Sequence, residues 1–189
     1  MSIRVGMLII LFSFIVGVSG SHAAKLSFSN CSKTEKSEIK TAVKWLKNNI
    51  KKIDREMGKR GLMNWPGNSR KKFQKKLSKK LKFVCKTGRK MCEVKKDGRM
   101  TFGKVIPVFK GKTIYLCPKY FSNDKAQYAS TIAHEIGHLI RLNGHRKPLC
   151  EKFKRPRFSE SLGQAVLAAH SGKKYNASIE YKRCQNALE

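Results

Sequence analysis

A ten-residue run, Thr131 to Ile140, sets His134, Glu135 and His138 among Ile132, Ala133, Ile136, Leu139 and Ile140. The apolar residues on both sides of the two histidines predict a buried helix. On a helix, positions four apart share a face, so the rings of His134 and His138 reach one point, with Glu135 beside them. Two imidazoles held this way are half of a zinc site, and a carboxylate one residue along stands next to the metal rather than on it. Zinc so bound lowers the pKa of a water toward ~7, and the carboxylate can take its proton. The expected chemistry is amide hydrolysis, with Glu135 as general base. A packed, hydrogen-bonded histidine pair is the structural alternative. Gly137 argues against it, because a glycine inside a helix costs ~1 kcal/mol and usually marks a close approach.

The compartment follows from the amino terminus and the cysteines. Arg4 precedes an apolar run over residues 5–18, and small residues follow it. That run is short for a bilayer span and fits a cleavable secretory leader over residues 1–23. All six cysteines lie beyond it, at 31, 85, 92, 117, 150 and 184. An even count in an exported chain reads as three disulfides, with 15 connectivities open. Export leads to an extracellular protein, or a periplasmic one in a bacterium. The remainder, residues 24–189, is the length of one domain, with a basic helical part over 24–82 and a catalytic part over 83–189.

Charge bounds the partners. Lysine and arginine number 42 against 12 acids, a net charge of +30. A field of that size attracts anionic polysaccharide, nucleic acid, anionic membranes and acidic proteins. The expected protein or peptide substrate is therefore acidic rather than lysine-rich, and the expected state is a monomer.

Along the chain, Ser32 and Glu35 form a capping box. Apolar residues then recur at helical spacing from Ile39 to Met57. A second helix carries Phe73, Leu77 and Leu81 on its apolar face. Residues 105–109 and 113–117 are β-rich and flank Lys110-Gly111-Lys112, as in a hairpin or edge strand. Asn123 or Asp124 caps the helix bearing the histidines, which is expected to run to Asn143-Gly144. Ser159 caps another, to about His170, broken by Ser171-Gly172, and a last helix covers residues 175–184. The expected fold class is α+β and mainly helical.

A catalytic zinc keeps three protein ligands and one open position. Downstream of His138, Glu160 opens a helix and is the expected third ligand, with His145 as the alternate.

These residues resemble a family, the deuterolysins or aspzincins and the related lysine-specific metallo-endopeptidases. The likeness runs from about residue 83 to 184. It rests on Cys85 with Cys92, on Ile114-Tyr115-Leu116-Cys117-Pro118 and on the helix with Thr131 and His134-Glu135-Ile136-Gly137-His138. Gly163-Gln164-Ala165 and Asn176-Ala177 with Tyr181 complete it. Where the family carries its ligand aspartate and a tyrosine, this chain has Ser159-Glu160 and Leu162. The resemblance implies a disulfide-stabilised, zincin-like domain, a zinc endopeptidase activity, and Tyr175 or Tyr181 as replacement donors to an oxyanion. A different class fits the same residues, a non-catalytic basic protein on such a scaffold that binds anionic glycans, nucleic acid or membranes.

Overall fold

The structure, a computed structural model, describes residues 25–59, 65, 67–87, 91, 92, 94, 101–105, 113–121, 124–140 and 158–172. It is an α+β fold in which helices cover one face of a four-stranded sheet. The strands are β1 (Leu26–Ser29), β2 (Leu81–Cys85), β3 (Gly103–Val105) and β4 (Thr113–Leu116). Their order is β1-β2-β4-β3, with the first three neighbours parallel and β3 antiparallel on the edge of β4.

Period-two alternation divides the sheet. Phe28, Phe83 and Ile114 lie in register on the inner face, where the Phe28 and Phe83 rings stack 6.0 Å apart. Ser27, Lys82 and Thr113 lie in register on the outer face. The inner residues Leu81, Phe83, Ile114 and Leu116 join one cluster of buried side chains that runs from Cys31 to Ala169.

The helices are α1 (Lys33–Asn48), α2 (Ile50–Lys59), α3 (Ser69–Ser78), α4 (Lys125–Ile140) and α5 (Phe158–Ser171). Ser32 and Glu35 do form the capping box. The Glu35 N–H donates to Ser32 Oγ at 3.2 Å, and the Ser32 N–H donates to Glu35 Oε2 at 2.6 Å. The continuous helix expected from Ile39 to Met57 is broken at Asn49. That side chain donates to the Trp45 carbonyl at 2.8 Å, competing with the ladder it interrupts. The apolar period survives the break, and Ile50, Ile53 and Met57 are buried. Asp54 ties α2 to α3 by accepting from Trp65 Nε1 at 2.6 Å and Arg70 Nε at 2.9 Å.

Three strand readings need correction. Leu81 belongs to β2, not to the second helix, since a leucine four positions after Leu77 suits either period. β1 was not expected at all, and Phe28 and Leu26 pair in parallel with a partner more than 50 residues away. The strand antiparallel to β4 is residues 103–105, earlier than the 105–109 expected, of which 106–109 lie outside the described residues.

Among the described residues there are two disulfides, Cys31–Cys85 and Cys92–Cys117. Cys85 and Cys92, grouped by the resemblance, therefore bond to other partners. Cys150 and Cys184 lie outside the described residues, as do His145, Tyr175, Tyr181 and residues 1–23, where a leader was expected. Among the described residues, no helix is long and apolar enough to cross a membrane.

Candidate metal and catalytic site

Helix α4 lies at the centre of the packing, against α1, α3, α5 and β3. Asp124 starts it, accepting from the Ala126 N–H at 2.8 Å and the Gln127 N–H at 3.3 Å. Its middle turns are buried almost all round, which is why residues 129–137 are nearly devoid of charge. Glu135 is the exception, at 4% exposure.

The two histidines converge as their spacing predicts. Their Nε2 atoms are 3.0 Å apart and their rings meet edge to face. Two lone pairs cannot face each other at that range, so a proton or a cation has to lie between them. Nitrogens bound at ~2.05 Å to one tetrahedral ion stand about 3.3 Å apart, so the pair is set close to the spacing zinc requires.

Two glycines fix this geometry. A Cβ at Gly137 would lie 3.0 Å from Ser159 Cα, so the glycine is where α5 crosses α4. A Cβ at Gly163 would lie 3.3 Å from His134 Cβ. Ser130 Oγ donates to the Gly163 carbonyl at 2.8 Å and pins the same crossing. The reason inferred for Gly137, a close approach, is thus realised, and its partner is the residue expected to cap the next helix. Ser159 lies within the first turn of α5, which begins at Phe158. Leu162 is fully buried beside Gly137 and contributes packing only.

Glu135 points toward β3. The Cys117 N–H donates to the Phe102 carbonyl, so the intervening groups of Gly103 and Val105 turn away from β4 to the free edge. There the Val105 N–H bonds the Glu135 carboxylate. A Cβ on Gly103 would come within 3.1 Å of Glu135 Oε1 and 2.8 Å of Thr131 Cγ2. Burial pushes the Glu135 pKa up to about 8, and the Val105 N–H opposes that only in part. The second oxygen, Oε2, is buried with no hydrogen-bond partner among the described residues. A buried carboxyl with one oxygen held and one unsatisfied is poised to accept or give a proton.

The third ligand is not supplied by any described side chain. Among the described residues, the one grouping of three metal-capable side chains within 4.8 Å is Cys31, Glu35 and Cys85. The two sulfurs there are joined as a disulfide and cannot act as thiolate ligands. The Glu160 side chain lies outside the described part, but its backbone sits in the first turn of α5. That places it between Ser159 and Gly163, the positions that meet α4 at Gly137 and His134. Gly103 and the Val105 N–H were missed from sequence. A backbone donor has no residue signature, and the lone Gly103 was the sole hint.

No family model, curated protein or solved structure matches the chain. The candidate site therefore rests on its own geometry.

Proposed function

We propose that the protein is a zinc-dependent endopeptidase of the zincin kind, exported from the cell. The observation that carries the proposal is the conjunction on α4. Two imidazole nitrogens converge at 3.0 Å, and a buried carboxyl with an unsatisfied oxygen stands one residue away. The donor set fits zinc, with His134 and His138 as two ligands and Glu160, or His145 beyond the described residues, as the third. Zinc held there supplies a Lewis acid that polarises a carbonyl and makes water a nucleophile near neutral pH.

The chain's own part is proton handling and orientation. Glu135 receives a proton at Oε2 while its other oxygen stays fixed by the Val105 N–H, then returns the proton to the leaving amine. Burial makes the ionised carboxylate a stronger base than an exposed one, and a nearby cation opposes its protonation. The crossing of α4 and α5 holds His134, so the nitrogens need little rearrangement to bind.

The test is zinc stoichiometry on the purified protein, with Glu160→Ala and His145→Ala beside the wild type, followed by peptide cleavage with Glu135→Gln. One zinc per chain, lost with Glu160→Ala, and a Glu135→Gln protein that keeps zinc but cleaves nothing is the expected result. A wild type that takes up no zinc after reconstitution overturns the proposal and leaves the non-catalytic basic scaffold.

A further inference from the structure

The outer face of the sheet carries a second feature, on the side away from α4 and from His134 and His138. Ser27 and Ser29 on β1, Lys80 just before β2, Lys82 on it, and Thr113 on β4 line an open cleft of about 470 Å³. Ser27, Lys82 and Thr113 are register partners across three parallel strands. Strands lie ~4.8 Å apart, so a hydroxyl, an ammonium and a hydroxyl span roughly 10 Å in a row. Lys80 lies two residues before Lys82 and on the same face, and both are exposed. Among the described residues, the lining holds two cations and three hydroxyls, with no carboxylate, aromatic ring or large apolar side chain.

We propose that this cleft binds a segment of sulfated or carboxylated polysaccharide. Ammonium groups meet the ligand's anionic groups, and hydroxyls that both donate and accept match a sugar's own hydroxyls. A volume of that size suits a short oligosaccharide segment. Single-stranded nucleic acid is held by stacking on aromatic rings, and the lining has none. A membrane surface is gripped by apolar side chains, also missing from the lining. The net charge of +30 draws any polyanion to the molecule, whereas the cleft gives one class a place to dock. This inference stands apart from the zinc reading, since the two sites use different faces and different residues.

The test measures binding of a heparin-derived octasaccharide to the full chain at physiological salt. Three double variants are compared with wild type. K80Q/K82Q removes the cleft cations, S27A/T113A removes two hydroxyls without changing charge, and K72Q/K75Q removes the same charge from the exposed side of α3. The expected result is a Kd raised about tenfold or more by K80Q/K82Q, a few-fold by S27A/T113A, and by less than about threefold by K72Q/K75Q. Zinc chelation should leave every value unchanged, which separates this result from failure of the zinc site. Equal losses from K80Q/K82Q and K72Q/K75Q would overturn the cleft in favour of an unlocalised field. Tighter, cleft-dependent binding of an oligonucleotide of equal charge, or of anionic phospholipid vesicles, would overturn the choice of polysaccharide.

Discussion

Metal-free protein should lose stability as pH rises, and Glu135 is the reason. Below pH ~4.5 the side chain is protonated both in the fold and in the unfolded chain, and its burial carries no ionisation penalty. Between 4.5 and about 8 the unfolded chain ionises while the buried group keeps its proton. The native state then binds more protons, so stability falls with pH at up to 1.36 kcal/mol per unit. From 4.5 to about 8 the loss is roughly 5 kcal/mol, and it levels off above the folded value. That is a large share of the ~5–15 kcal/mol that holds a domain together. Glu135→Gln keeps the shape and an acceptor for the Val105 N–H but cannot ionise. Urea unfolding in EDTA, followed by fluorescence of Trp45 and Trp65, reads the comparison at pH 5, 6.5 and 8. The wild type should fall relative to Glu135→Gln across that range, and adding zinc should remove most of the difference by favouring the carboxylate. Histidine titrations are common to both proteins and cancel in the difference. Curves that stay parallel to within about 1 kcal/mol would refute the burial argument.

Two further perturbations test the packing around the site. Gly103→Ala puts a Cβ 2.8 Å from Thr131 Cγ2, so β3 has to lift from α4, with an expected loss of about 1–3 kcal/mol in urea unfolding. An unchanged midpoint would mean that the strand does not bear on Glu135. Ser130→Ala deletes the 2.8 Å bond to the Gly163 carbonyl, with an expected loss of about 1 kcal/mol and weaker zinc binding through His134, both readable by titration. Full stability and unaltered zinc affinity would contradict the pinning role.

The parts legible in the sequence are those written locally. Ser32 with Glu35, Asp124 before α4, and the positive φ of Gly172 after α5 are each decided within one turn. The convergence of His134 and His138 is equally local, because helical spacing alone produces it. What stayed hidden depends on partners distant in the chain. Leu26-Ser27-Phe28-Ser29 alternates with period two, yet four such residues identify no strand until β2 pairs with them. Leu81 fits a helix after Leu77 and a strand before Phe83, and its pairing with Leu26 on β1 decides. Gly137 announces a close approach but not that Ser159 fills it. The third ligand remained open for the same reason, since Glu160 and His145 sit across segments whose path the sequence does not fix.

The parallel pairing of β1 with β2 bears on the order in which the molecule is made. Parallel neighbours cannot close through a tight turn, so β1 has to wait while α1, α2 and α3 form before its partner exists. The disulfide that closes this loop joins residues 54 apart, Cys31 two residues after Ser29 and Cys85 one after Val84, the last pair of the β1–β2 ladder. That bond therefore closes the same long loop as the β1–β2 pairing and holds β1 against its partner. Non-local pairing of this kind forms more slowly than helices closed within a few residues, so the docking of β1 on β2 is expected to follow α1, α2 and α3.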